Sequence, residues 1–343
     1  MQSNKQTPIV EVTDLKKYFP ITSGFMKKTV GYVKAVDGIN MYVNEGETLA
    51  LVGESGCGKT TLGRCILQAI KPTSGSVKFN DRNNKQLELT TMPYSQLRET
   101  RRDMQMIFQD PYASLDPRMT VLNIISEPLI CHKIMGPGER REYVKELMDT
   151  VGLDPRHLER YPHAFSGGQR QRIGIARALA TKPRFIVCDE AVAALDVSVQ
   201  AQVLNLLMDL QEQMNLSYLF ISHDLGVVSH ISDRVGVMYV GHMVELADTV
   251  KLFARPMHPY TEALLSAKPV ADPRNKSRRI MLEGDVANPA NLPSGCPFHP
   301  RCRYAKPICS EQMPEWRELE EGHYVACHCA QDLDLHGMRG YEK

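Results

Sequence analysis

Gly53-Glu-Ser-Gly-Cys-Gly58-Lys59-Thr60 reads G-x-x-x-x-G-K-[ST] in full. A strand-sized apolar run, Glu47-Thr-Leu-Ala-Leu-Val52, precedes it, and a helix is expected after it from Thr60 to Ala69. Strand, glycine-rich loop and helix in that order suit a cradled phosphate. The glycines let backbone N–H groups wrap the anion, and the helix start adds the positive end of its dipole. Lys59 is then expected to reach the β- and γ-phosphates, and the Thr60 hydroxyl to ligate Mg²⁺.

Outward from the loop the chain keeps a βαβ rhythm. Residues 8–12 read as a strand, and 94–104, 138–151 and 168–181 have helical character. A Pro/Asp-rich irregular segment, 109–117, separates the first two helices. Two apolar strands, 184–188 and 218–222, flank a helix over 198–214, and each ends in acidic or polar residues. Chemistry at the C-terminal ends of strands is the expectation for an open α/β sheet. Beyond about residue 265 the periodicity fades. We read 258–270 as a joint and 271–343 as a small appended region, with no internal repeat.

The 343 residues carry 41 basic and 40 acidic side chains, a near-neutral balance that argues against a strongly basic nucleic-acid binder. No apolar run approaches the length that spans a bilayer, and the N-terminal MQSNKQTPIV lacks a secretory hydrophobic region, so a cytosolic chain is expected. Nine cysteines are then unusual, because disulfides are uncommon in that compartment. Cys296, Cys302, Cys309 and Cys327 fall within 32 residues, with Cys329 as a fifth. Such grouping favours a metal or iron–sulfur site. The tight Cys-x2–4-Cys knuckles usual for zinc are absent, and all-thiolate ligation suits a [4Fe–4S] cluster at least as well.

Two further segments carry nucleotide chemistry. Phe185-Ile-Val-Cys-Asp189-Glu190 is an apolar strand ending in two carboxylates, with Asp189 suited to Mg²⁺ and Glu190 to positioning the water that attacks the γ-phosphate. Phe165-Ser166-Gly167-Gly168-Gln169 opens a helix rich in arginine, which makes a second anion nest. One chain does not need two nests for one triphosphate, so this one is expected to cap a nucleotide held by another chain.

Together these segments, from residue 8 to about 265, resemble the nucleotide-binding subunits of ATP-binding cassette (ABC) transporters. That resemblance implies a P-loop α/β nucleotide-binding domain over 1–265 with a helical subdomain at about 90–170. It makes Gly53, Glu54, Ser55, Gly56, Cys57, Gly58, Lys59, Thr60 and Thr61 the Walker A loop, Asp189 the Walker B aspartate and Glu190 the catalytic base. Residues 165–169 become the signature motif, with Phe165 where Leu is usual. Gln109 resembles the Q-loop glutamine, which with Thr60 and Asp189 serves Mg²⁺ and couples to membrane subunits. His223 resembles the switch histidine, and Asp196 the D-loop aspartate at a dimer seam. Tyr18 stands where an aromatic stacks on adenine, with Phe19 adjacent and a core role the alternative. Ala191 and Ala193 replace the usual Pro and Ser, which loosens φ after the base and removes a hydroxyl at the seam.

The tail narrows the resemblance. His258-Pro-Tyr-Thr-x-Ala-Leu264, then Pro-Ser-Gly-Cys296 and Arg301-Cys302, is similar to the C-terminal extension of oligopeptide/dipeptide importer ATPases of the second subunit type. It implies a small Cys-rich extension over 266–343 with a [4Fe–4S] cluster on Cys296, Cys302, Cys309 and Cys327, or Cys329 as fourth ligand. It also implies two ATP bound in a heterodimer with a second ATPase subunit, and two permease subunits contacted through about 110–130. The extracytoplasmic peptide-binding protein is an indirect partner, nucleic acid is not a partner, and the location is the cytoplasmic face of the inner membrane. An importer subunit for nickel or another small solute is the alternative. Cassette ATPases of DNA repair, ribosome regulation or iron–sulfur assembly are expected to differ in cassette number, insertions or tail.

Overall fold

The computed structural model describes residues 8–24, 28–267, 280–338 and 341. Contacts divide the chain into two compact units. One comprises Met1–Val10, Tyr42–Thr48 and Lys78–Ile221; the other comprises Glu11–Met41, Leu49–Val77 and Ser222–Lys343.

In the first unit three parallel strands lie in the order Ser217–Ile221, Phe185–Asp189, Met104–Ile107. Phe185-Ile-Val-Cys-Asp189 is buried throughout, as a continuous apolar run covered on both faces should be. The helix Val197–Met214 is the crossover that returns the chain in parallel, and Asn215 ends it in the left-handed region at φ +51°. Helices Val121–Cys131, Pro137–Thr150 and Gly167–Leu179 pack on one another. The helix expected over 94–104 stops at Thr100, and the chain turns within three residues into Met104–Ile107. That strand has no Gly or Pro ahead of it to mark the change. Residues 108–120 form turns, in keeping with their Pro/Asp content.

In the second unit the strand that leads into the phosphate loop, Thr48–Val52, pairs in parallel with Arg234–Tyr239, from Leu49 opposite Arg234 to Val52 opposite Val237. His242–Asp248 returns antiparallel beside it. The C-terminal region then extends the same sheet: His323–Val325 pairs with His242–Asp248, placing Val325 opposite Glu245, and Arg317–Glu320 forms the edge. The segment expected as a joint opens with a buried helix, Pro259–Ser266, while 268–279 lie outside the described residues. Tyr239, Phe253, Tyr260 and Phe298 meet in the core of this unit, so tail and loop-bearing strands share one hydrophobic interior. No helix among the described residues is long and apolar enough to cross a membrane.

Candidate nucleotide site and cysteine cavity

The phosphate loop is built tightly. Gly58 has φ +107°, and a Cβ there would fall 2.0 Å from the Ala35 carbonyl oxygen, so only glycine fits where the helix Lys59–Ile66 begins. Lys59 is buried, and its ammonium donates to the carbonyl oxygens of Gly53 at 2.8 Å and Glu54 at 3.0 Å. Ser55 and Gly56 are exposed at the loop tip, Cys57 is buried, and Thr60 and Thr61 are half-buried at the helix start. Burial raises the Cys57 thiol, against the lowering influence of Lys59, so it stays a neutral packing group.

Tyr18 is tied to this loop rather than to the core. Its hydroxyl donates to Asp37 at 2.5 Å, the Asp37 N–H donates to the Gly241 carbonyl at 2.8 Å, and the Gly241 N–H donates to the Cys57 carbonyl at 2.8 Å. Burial and the Asp37 carboxylate push its phenol upward, keeping it a neutral donor. Phe19, beside it, is exposed under the Lys17 ammonium. His223 is exposed, one residue beyond Ser222, which donates its N–H to the Leu51 carbonyl at 3.2 Å.

The other unit gathers the carboxylates. Asp189 is buried at the end of its strand, opposite Ile221. Glu190 follows with φ +48°, its N–H held by the Ile221 carbonyl at 3.0 Å. The Gln109 amide donates to the Glu190 carboxylate at 2.7 Å. Two residues distant by 81 positions are thus brought into direct contact.

In the signature segment Ser166 and Gln169 form a reciprocal capping box: the Gln169 N–H donates to the Ser166 hydroxyl at 3.3 Å, and the Ser166 N–H to the Gln169 side chain at 3.0 Å. Phe165, buried, packs edge-on against His157 in place of the usual leucine. A Cβ on Gly168 would meet Val199 Cγ1 at 2.4 Å, so this glycine is a packing requirement. Asp196 opens the helix Val197–Met214 and is exposed; Ala193, Ala194 and Val197 are exposed with it.

The tail cysteines converge. Cys296, Cys302, Cys309, Cys327 and Cys329 line one small cavity, together with His258, His299 and His328. All five thiols are free. Burial raises Cys296, pushes Cys302 up to about 11 and Cys327 up to about 12. The Cys329 N–H points at the Cys327 sulfur at 3.4 Å. Among the described residues no group of three or more His, Cys, Asp or Glu side chains is placed to hold a metal ion, so the structure gives the expected iron–sulfur site no support of its own.

Three residues that connect these parts were given no site role by the sequence, two of them (Tyr260 and Arg301) having been read only as part of the tail resemblance. Glu245, fully buried, accepts from the N–H groups of Met257 at 2.6 Å and His258 at 3.0 Å and meets His323 Nε2 at 2.8 Å. Tyr260 and Arg301 both reach Glu54 inside the phosphate loop. A carboxylate in a strand and an arginine between two cysteines carry no signal of spacing that would single them out.

Comparison with known proteins accounts for both halves of the chain. A family described as ABC transporter matches residues 36–193, and one described as the oligopeptide/dipeptide transporter C-terminal region matches 244–309. The oligopeptide transport ATP-binding protein AppF of Bacillus subtilis is 54% identical over 96% of this chain and 99% of its own. The dipeptide transport ATP-binding protein DppF of Haemophilus influenzae is 48% identical over 94% and 97%. Among solved structures, the dimeric ATP-binding cassette MJ0796 in a post-hydrolysis state with ADP and Pi has a TM-score of 0.61 at 28% identity, over 70% of this chain and 98% of that one. With near full-length identity to such relatives and both family regions in place, the chain belongs to the ATP-binding subunits of ABC transporters that carry the oligopeptide/dipeptide transporter C-terminal region.

Proposed function

We propose that this protein hydrolyses ATP to energise import of di- and oligopeptides through an ABC transporter, and never touches the peptide itself. The observation that carries the motor reading is the Gln109–Glu190 hydrogen bond, which joins a coupling-loop glutamine to the proposed base. The peptide reading is supported by relatives named for oligopeptide and dipeptide transport that align along almost the whole chain. No observation favours nickel or another small solute.

In this reading the ring of Tyr18 stacks on adenine, and the backbone N–H groups of 53–61 wrap the phosphates. Lys59 exchanges its bonds to the loop carbonyls for β- and γ-oxygens. Glu190 takes a proton from the attacking water while Gln109 orients it and His223 contacts the γ-phosphate. Mg²⁺ supplies neutralisation of phosphate charge; Thr60, Asp189 and Gln109 are the side chains to hold it, and a carboxylate as buried as Asp189 suits a cation. Ser166, Gly167, Gly168 and Gln169, with Asp196 beside them, serve the nucleotide of the facing subunit in a dimer. We take that subunit to be a second, different ATPase chain, with two permeases contacted near 110–130 and a peptide-binding protein acting upstream. The working location is the cytoplasmic face of the inner membrane. Functionally we divide the chain into 1–265, with a helical subdomain at about 90–170, and an extension over 266–343.

We read the cysteine cavity as the place of a [4Fe–4S] cluster rather than of a single ion, because five thiols line it. Four thiolates on a cluster each take a different iron, so they need to surround a space rather than meet at a point. Cys296, Cys302 and Cys309 with Cys327 or Cys329 would hold it, and an N–H aimed at a cysteine sulfur is the kind of contact that tunes such a site. When bound, the cluster would cross-link the tail and supply one-electron chemistry.

Co-expression with the two permeases and the partner ATPase tests the transport reading. ATP-dependent uptake of a labelled dipeptide and tetrapeptide by reconstituted vesicles is expected; purification with nucleic acid or assembly scaffolds, without membrane subunits, would overturn it. Anaerobic protein is expected to carry iron and acid-labile sulfide with broad visible absorption, lost in Cys302→Ser, whereas stoichiometric zinc without iron would remove the cluster.

A further inference from the structure

The phosphate loop contains a carboxylate, Glu54, where the incoming ligand is a polyanion. An uncompensated negative charge at that point opposes binding. The tail meets it: Arg301 Nη1 and Nη2 donate to the two Glu54 oxygens at 2.8 and 3.1 Å, a bidentate pair spanning 247 positions of sequence. The Glu54 N–H, at the same residue, donates to the Tyr260 hydroxyl at 2.9 Å. Glu54 is therefore held at its backbone and at its side chain by residues from beyond position 258.

Those two holders are themselves rigid. Tyr239, Tyr260 and Phe298 form a buried trio with ring centroids 4.8 to 5.3 Å apart, and the Arg301 guanidinium lies 5.9 Å from the Tyr239 ring. Only 8% of the Arg301 side chain is exposed. A guanidinium keeps its proton throughout the working pH range, so the charge is permanent. Arg301 sits at the end of the turn His299–Arg301, next to Cys302 of the cysteine cavity.

We propose that Arg301 is a positioning residue for nucleotide binding: it neutralises and orients Glu54, so that the C-terminal region sets the affinity of the phosphate loop for ATP. This rests on reading 53–60 as a phosphate loop.

The test is a titration of the full-length protein with a fluorescent, non-hydrolysable ATP analogue, together with steady-state phosphate release. Arg301→Gln leaves the carboxylate unpaired in the loop and is expected to weaken analogue binding by about tenfold at low salt, raising KM for ATP far more than it changes kcat. Added salt should shrink that penalty. Adding Glu54→Gln to Arg301→Gln removes the stranded charge and is expected to restore binding to within about threefold of the parent, with the urea midpoints of all variants equal within error so that repair of a folding defect is excluded. Arg301→Lys, keeping the charge without the fork, should fall between the two. Binding by Arg301→Gln equal to the parent, or a double variant no better than Arg301→Gln, overturns the inference. If the parent itself fails to bind the analogue, the reading of the loop fails instead.

Discussion

Glu190 occupies the left-handed region at φ +48°, which costs a residue with a side chain on the order of 1 kcal/mol. The chain tolerates that because both ends of the residue are held, the N–H by Ile221 and the carboxylate by Gln109. Ala191, standing where the family commonly has proline, is buried directly after it, so packing rather than a ring restrains the backbone there. Glu190→Gln keeps the shape and can still bond to Gln109 after an amide rotation, yet cannot accept a proton. Phosphate release is expected to fall by about 10²–10⁴-fold, the usual range for a lost general base, while ATP stays bound in a closed dimer. Near-normal phosphate release from Glu190→Gln would remove Glu190 as the base.

Elements are held by contacts of two kinds, one readable from sequence and one not. The signature helix Gly167–Leu179 announces itself through Ser166 and Gln169, a capping box visible in the letters. Its bracing of the turns over 108–120 is not visible: the Arg170 guanidinium lies 4.1 Å from the Tyr112 ring, and Arg177 donates to the Ser114 carbonyl at 2.7 Å. The same helix depends on Gly168 against Val199. Gly168→Ala should cost about 1–3 kcal/mol by overpacking, and Val199→Ala should relieve most of it; urea unfolding of the two single variants and the double one checks this. The strand Phe185–Asp189 and the loop 53–60 were legible because an apolar run or a fixed motif marks them locally. The strand Met104–Ile107 and the tail hairpin Arg317–Val325 were not, being short and stabilised by distant partners. Glu245 makes the point in one residue: its bonds to the 257–258 turn and to His323 tie an inner strand of the sheet to the tail across 78 positions. Glu245→Leu leaves two buried N–H groups and a histidine unsatisfied. A loss of about 3 kcal/mol is expected, seen as a lower urea midpoint at unchanged slope.

At the scale of the whole molecule, our assignment of Ser166–Gln169 to the nucleotide of a facing subunit rests on a partner meeting the face where Ala193, Ala194, Asp196 and Val197 are exposed. Val197 is 81% exposed beside Asp196, at the start of the helix that packs on Gly168. A substitution there touches little within its own chain, so Val197→Glu should change unfolding free energy by about 0.5 kcal/mol or less. If the face meets a second ATPase subunit across two ATP, the same substitution buries an unpaired charge and repels the phosphates it faces. In the Glu190→Gln background, co-expressed with the partner ATPase, light scattering should show ATP-dependent dimers that Val197→Glu weakens by at least about tenfold, the effect of roughly 1.4 kcal/mol. Monomeric stability and analogue binding by the isolated chain serve as internal controls, because neither uses this face. Dimers that form equally well with glutamate at 197 would move the seam away from the D-loop, and with it the assignment of 165–169 to the nucleotide of the facing subunit.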